Sequence, residues 1–448
     1  MSGKRAGRMR RRAIDRWLRC AAPKRGGGVA GFFRSATALI AVLGALPAGA
    51  AHGPKAELKY AIIVSRHGVR SPTWDTARLN EYSTQPWPDW GVAPGELTPH
   101  GRAGVKLMGA YYRAWLSKAG LFNAGGCRDA SRIYIRADAG QRTRETGRAF
   151  AESLLPGCEI PVATQPSGKD SLFGGVGKAD PDLAAKAVGE RLGSAAGMRT
   201  KYEPAFDALT RILTGGGTAR RALMDGAPDE GGDGGLPEIP RALATASTFS
   251  EVFLLQYAEG MAESSLGWGR LTKERLLQIL ELHTTYADVA RRTPYLARAR
   301  GSNLLAHILA SLEQAESGKA VAGALGRPDG ALAILAGHDT NLSNLSGMLD
   351  LRWRVPGLAD DDTPPESALI FSLWRDGAAG DWFVKLEFVT PSLDQMRHLE
   401  PLTLDSPPAR VTVAIPACTS SRSDGGCPWA AFRAAVQKAI DPQFTEIR

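Results

Sequence analysis

Lys59-Tyr-Ala-Ile-Ile-Val-Ser65, running directly into Arg66-His67-Gly68-Val69-Arg70-Ser71-Pro72-Thr73, is the stretch from which the rest of the chain can be organised. Its first half is short and mostly apolar, which predicts a strand buried on both faces. Its second half is a polar turn in which Gly68 permits close backbone approach and Pro72 stiffens the path. Residues 131–136 and 331–336 have the same apolar form, and each gives way to a polar turn and then to a helical pattern, over 143–155 and 340–349. Another helix is predicted over residues 99–118, with Leu107, Ala110, Tyr111 and Ala114 on one face. Strand–turn–helix units of this kind predict an α/β fold, a three-layer domain on a mixed, largely parallel sheet, with ligands outside the carboxyl ends of the strands. Toward the C-terminus, 368–374 and 382–389 read as a hairpin with Asp376-Gly377 in its turn.

The middle of the chain differs. From 171 to 292 the pattern is helical, clearest over 249–258 and 275–286, and it is broken by Thr214-Gly-Gly-Gly217 and by the glycine-rich run 226–235. The expected plan is therefore an α/β domain made of two stretches of chain, 51–170 and 293–448, with an inserted smaller, mainly α-helical domain (171–292) between them. A separate head (1–50) precedes all three. No internal repeat is visible.

That head carries the chain's charge imbalance. The 448 residues hold 55 Lys and Arg against 46 Asp and Glu, a formal net charge of +9. Eleven of the basic residues and one acid lie within residues 1–50, so the remainder is close to neutral, with 44 basic and 45 acidic side chains. A nucleic-acid partner is not indicated for such a body. Residues 35–47 form an apolar run followed by Ala48-Gly49-Ala50, and a basic segment, an apolar run and an A-x-A site together describe a cleaved secretory signal peptide. The run is short of the roughly 20 residues a membrane span needs, so no stable membrane association is expected. Removal of the head takes Cys20 and leaves Cys127, Cys158, Cys418 and Cys427. Four cysteines in an exported chain admit three disulfide connectivities, of which Cys127–Cys158 and Cys418–Cys427 each bracket a local unit and are favoured. The expected location is the periplasm.

Chemistry is concentrated where the predicted strands end. Arg66 and Arg70 place two permanently charged, fork-shaped donors around His67, an arrangement suited to phosphate oxygens. A neutral imidazole nitrogen between them could attack phosphorus and carry it as a phosphohistidine. Arg142 opens the helix after the second strand, and His338-Asp339 opens the helix after the third. Taken singly, these are a basic turn, a solvated helix residue and a helix cap. Together they supply a nucleophile, several phosphate-holding cations and an acid converging on one crevice.

Arg66-His67-Gly68-x-Arg70-x-Pro72-Thr73 with a distant His338-Asp339 resembles the histidine acid phosphatase family, in particular its phytase and glucose-1-phosphatase branch. The likeness continues through Leu97-Thr98-Pro99-x-Gly101, Ala137-Asp138 ahead of Arg142-Thr143, Glu251-Val252-Phe253-Leu254-Leu255-Gln256, Gly267-Trp268-Gly269-Arg270 and Gly337-His338-Asp339-Thr340-Asn341-Leu342. The resemblance implies a phosphoglycerate mutase-like fold, no metal and no cofactor, and a small-molecule phosphate monoester as the partner. It places the nucleophile on His67 and the proton donor on Asp339. The phosphate site falls on Arg66, Arg70, Thr73, Arg142 and His338, and local disulfides of the two favoured kinds are found in this branch. One position departs from the pattern: where enteric phytases carry a Lys after the motif, this chain has Trp74, and an indole cannot pair with the extra phosphates of inositol hexakisphosphate. His283 and Arg300 are candidates for the outer pocket.

Other phosphate and metal sites are not supported. Gly177-Lys178-Ala179 lacks the upstream glycine and the Ser/Thr of a P-loop, no H-E-x-x-H or C-x-x-C occurs, and the seven histidines do not cluster. Two alternatives use the same residues: a phosphomutase, against which export argues, and a non-catalytic phosphate-ester binding protein, against which the presence of both His67 and Asp339 argues.

Overall fold

The decisive run forms β1, Glu57–Arg66, and its side chains alternate between the two faces of a central sheet. In this computed structural model the described residues are 56–122, 125–166, 168–225, 239–377, 379–418 and 422–447. The expected signal peptide lies outside them, as does the glycine run 226–235. The other strands are β2 (Ile133–Ala137), β3 (Val162–Thr164), β4 (Leu332–Gly337), β5 (Ala368–Arg375), β6 (Trp382–Thr390), β7 (Ala409–Thr412) and the short β8 (Cys427–Pro428). Their order is β3-β2-β4-β1-β5-β6-β7, with β8 beside β6. Pairing is parallel from β3 to β1 and antiparallel from β1 to β7, so the sheet is mixed and its parallel character is confined to the half that bears the three motifs. β2 starts at Ile133, two residues later than the sequence pattern predicts, because Ala130–Arg132 wind into a 3₁₀ turn.

The sheet is covered on both sides, which is why β1 is apolar from Tyr60 to Val64 and β4 from Leu332 to Ala336. Tyr60, Ile62 and Val64 point into one layer. There they meet Leu305 and Ile308 of the helix Pro294–Ser317, Leu342 and Leu345 of Asp339–Leu349, and Phe432 of Trp429–Ala439. Ala61 and Ile63 point into the opposite layer, against Val105, Met108 and Tyr112 of α1 (Pro99–Lys118) and Phe150 of α2 (Gln141–Leu154). α1 starts where its sequence says it should. Thr98 is the N-cap, its hydroxyl accepting from the Gly101 N–H at 2.9 Å, and Pro99 occupies the first turn.

A third apolar cluster is built by helices from the middle of the chain. These are α3 (Pro181–Leu192), α4 (Ala195–Thr214), α5 (Arg241–Ala258) and α6 (Lys273–Ala290). Leu209, Ile212, Phe249, Phe253, Leu276 and Ile279 gather there with Val69, Tyr82 and Trp87 from the segment that follows β1. α4 stops at Gly215, which takes a left-handed φ of 59°, so the first of the two glycine interruptions is a helix terminus. The remaining long helices are α7 (Pro294–Ser317), α8 (Asp339–Leu349) and α9 (Trp429–Ala439). Cys127–Cys158 and Cys418–Cys427 are the disulfides, each closing the local unit it brackets. Among the described residues no helix is long and apolar enough to cross a membrane.

Candidate active site

Register brings the motifs together. Arg66 at the end of β1 pairs with Gly337 at the end of β4, and Ala137 at the end of β2 pairs with Ala336. His67, His338 and Asp138, each the next residue or nearly so, therefore leave the sheet side by side. The rings of His67 and His338 lie 5.5 Å apart, edge to face.

The turn after β1 is held against the start of α1 so tightly that two positions tolerate no side chain. A Cβ on Gly68 would lie 2.6 Å from the Gly101 carbonyl, and one on Gly101 would lie 2.1 Å from the Val69 carbonyl. This contact fixes the path of residues 67–70, with the Gly68 N–H donating to Thr146 Oγ1 at 3.2 Å and the His67 N–H donating to the Gly337 carbonyl at 3.0 Å.

A cavity of about 590 Å³ opens above these strand ends. Its lining includes His67, Arg70, Thr73, Arg142, His338 and Asp339, six of the seven residues expected from sequence. Arg66, the seventh, is fully buried beneath the floor, where it donates to the Thr363 carbonyl at 2.6 Å and to Glu251. His283 lines the cavity, whereas Arg300, on α7, is not among the lining residues.

His67 is presented in a defined tautomer. Its Nδ1 lies 2.8 Å from the Gly68 carbonyl, which can only accept, so Nδ1 carries the proton and Nε2 keeps its lone pair. Burial first, then the positive charges of Arg142, Arg66 and Arg70, hold this imidazole neutral, well below its ordinary range. His338 is fixed by a chain of contacts: Nε2 donates to Asp138 Oδ2 at 2.7 Å, and Nδ1 faces Arg142 at 3.5 Å. Burial lowers the His338 imidazole, and Asp138 pulls in the opposite direction.

Three participants carried no expected role in the sequence. Glu251, from α5, bridges Arg66 and Arg70, with 2.9 Å to the latter. Burial would raise this carboxyl, but Arg70 and Arg66 overcome it and hold the group at about 2, a permanent anion between two permanent cations. Arg291, at the end of α6, pairs with Asp339. Asp138 anchors His338. A further substitute appears at the wall: Trp74 lines the cavity, and the Arg78 guanidinium stacks 3.9 Å over its ring and lines the cavity too. The indole therefore brings a cation with it.

Arg66, Arg70 and Arg142 each retain a buried Nε donor with no acceptor among the described residues. Among the described residues one set has metal-ligating spacing, Glu251, His283 and Asp339, whose ligand atoms lie within 4.8 Å of one another. Both carboxylates are already neutralised by guanidiniums, which a metal ion would have to displace. The arrangement is electrostatically that of an anion site.

Comparisons with known proteins agree with this geometry. A family model described as histidine phosphatase superfamily (branch 2) matches residues 57–185 and 241–389. Phytase AppA of Escherichia coli strain K12 is 36% identical over 409 residues, spanning 87% of this chain and 93% of the relative. A glucose-1-phosphatase of Providencia rettgeri is 27% identical over 403 residues, spanning 86% and 92%. Among solved structures, the Hafnia alvei phytase in complex with tartrate matches with a TM-score of 0.77 at 31% identity, covering 87% of this chain and 98% of that one. The Citrobacter braakii phytase matches with a TM-score of 0.77 at 33% identity, covering 86% and 99%.

Proposed function

Because the chain belongs to branch 2 of the histidine phosphatase superfamily, we propose that it is a periplasmic acid phosphatase that hydrolyses phosphate monoesters through a phosphohistidine on His67. The observation that carries the reading is the His67 tautomer: a neutral ring with an unprotonated Nε2, in a cavity ringed by guanidiniums.

In the first half-reaction Nε2 attacks phosphorus as the P–O bond to the alcohol breaks. Arg66, Arg70, Arg142, Thr73 and His338 hold the phosphoryl oxygens as charge develops on them, the work that preorganised donors do in a water-poor site. The bonding pair leaves with the alcohol oxygen, and Asp339 supplies its proton. In the second half-reaction water attacks the phosphohistidine, Asp339 takes the proton back, and inorganic phosphate departs. Residues 171–292 act in this reading as the inserted helical domain that contributes Glu251, His283 and Arg291 to the site.

Sugar phosphates fit a cavity of this volume, and Arg78 on the wall supports phytate as a second substrate despite the indole at position 74. Rapid mixing with substrate and quenching into alkali, which preserves phosphohistidine, should label His67 stoichiometrically, and His67→Ala should abolish turnover. Labelling of any other side chain would refute the scheme. Export is read from the two disulfides and the N-terminal signal pattern; the unreduced mass of the periplasmic protein should correspond to a chain beginning near Ala51.

A further inference from the structure

The proton donor of the scheme above is tied up in an ion pair. Asp339 is the first residue of α8, and its Oδ2 accepts from the guanidinium of Arg291, the residue that closes α6. Both side chains are only 11% exposed, and both line the cavity. Arg291 is itself braced, its guanidinium lying 5.7 Å over the ring of Tyr286 on the preceding turns of α6. A carboxylate held in this way has no proton to give, and a departing alkoxide needs one.

The other charged groups around Asp339 do not reverse this. Arg66 from β1, Arg142 from α2 and His283 from α6 face it, and His338 precedes it at the helix start. Glu251 from α5 and Asp362 from the loop ahead of β5 are the opposing carboxyls, but Glu251 is spent on Arg66 and Arg70. Burial by itself would favour the acid form of Asp339; Arg291 foremost, then Arg66 and His283, hold it well below the usual carboxylate range.

Resting on the phosphatase reading, we propose that Arg291 is the positioning residue that confines hydrolysis of alkyl phosphate esters to acid pH, by keeping Asp339 in an ion pair that must open before the carboxyl can take up a proton. The arriving phosphoryl dianion competes for Arg291 and repels the carboxylate, which then binds a proton from solvent. As the ester P–O bond breaks, that proton passes to the leaving oxygen, and the carboxylate formed returns to Arg291, ready to accept a proton from the attacking water. The pair disfavours the first proton uptake and favours the state that the second half-reaction needs. An aryl ester, whose phenolate leaves without a proton, escapes this control in the first half-reaction.

The test compares full-length wild type, Arg291→Gln and Arg291→Lys in profiles of kcat/KM against pH, a parameter that reports the steps up to formation of the phosphoenzyme. The probes are glycerol 2-phosphate and p-nitrophenyl phosphate. For Arg291→Gln the descending alkaline limb with the alkyl ester should move up by about one pH unit or more, roughly a tenfold gain in the alkyl-to-aryl ratio on that limb. The limb with the aryl ester should hold its position, and Arg291→Lys should restore the wild-type limb with the alkyl ester. An unmoved alkyl limb in Arg291→Gln overturns the proposal. So does an equal movement with both esters, since Arg291 would then act on the phosphate clamp, and so does failure of Arg291→Lys to restore the limb. Wild-type protein inactive on both esters at every pH would instead refute the phosphatase reading, and this inference with it.

Discussion

The backbone N–H of Glu366 donates to the carbonyl of His67 at 3.1 Å, so a buried carboxyl-bearing residue supports the turn that carries the proposed nucleophile. Glu366 adopts a left-handed φ of 67°, unusual for a residue with a side chain, and its carboxyl lies where a Cβ on Gly104 of α1 would have to go. Burial, with Glu259 adding like charge, pushes this carboxyl up to about 8.

The sign of the resulting pH dependence follows from where protons are bound. Between the ordinary value of 4.5 and about 8, the folded state keeps a proton on Glu366 that the unfolded chain has released. Stability from this group is therefore fully present below 4.5 and is lost as pH rises toward 8, at about 1.4 kcal/mol per pH unit. Glu366→Gln should flatten that slope. Urea unfolding across the range from mildly acidic to mildly alkaline pH measures it, and an identical slope in the variant would show that other groups carry the dependence.

Asp339→Asn should separate the two chemical tasks at the site. With no proton to donate, phosphorylation by a sugar phosphate should slow by roughly 10²–10⁴-fold, the usual reach of general acid catalysis. Phosphorylation by p-nitrophenyl phosphate should lose much less. Burst amplitudes and rates by rapid quench report that first step alone, and equal losses on both esters would reduce Asp339 to a positioning residue.

In the proposed scheme His338 must carry a charge to donate a strong hydrogen bond to the phosphoryl group while Asp138 occupies its other nitrogen. Burial opposes that charge and Asp138 sustains it. Asp138→Asn should therefore move the alkaline limb of kcat/KM to lower pH and cut the rate near pH 6 by about tenfold, equivalent to about 1.4 kcal/mol. An aryl ester is the substrate of choice here because its first step does not depend on Asp339. A limb that stays in place would mean His338 acts as a neutral spacer.

The Cys127–Cys158 bridge closes a loop of 31 residues that encloses β2 and α2, the elements that deliver Asp138 and Arg142. Loop-closure entropy assigns such a bridge about 3–4 kcal/mol. The double Ser variant should unfold at lower urea by a corresponding amount, and an unchanged midpoint would show that the unfolded chain is restrained in some other way.

The residues legible in the sequence are those whose chemistry sits at the end of a predicted strand. Arg66, His67, Arg70, Arg142, His338 and Asp339 follow apolar runs at short, regular offsets, and parallel register alone suffices to gather them. Glu251 and Arg291 are not legible as site residues from their own surroundings. A glutamate within a helical pattern reads as solvated, and an arginine at a helix end reads as a favourable charge on the helix dipole. Their partners lie 181 and 185 residues away for Glu251 and 48 for Arg291, distances at which pattern carries no information. Arg300, a basic residue near the same stretch of chain, is not among the residues that line the cavity. The antiparallel half of the sheet is legible only as one hairpin, because β7 and β8 are too short to show a period.

Glu251 already occupies two of the guanidiniums proposed to hold phosphate. Two guanidiniums buried side by side with nothing between them would either drift apart or seize any passing anion. A resident carboxylate lets the clamp keep its shape between turnovers, and it remains as a rival for the same donors when an ester or its product arrives. Grip on the ground state is thereby moderated, while the more highly charged transition state has more to gain from those donors. In the proposed cycle inorganic phosphate is the last occupant of the clamp, and a built-in competitor for the Arg66 and Arg70 guanidiniums would loosen it, turning a potential phosphate trap into a turnstile.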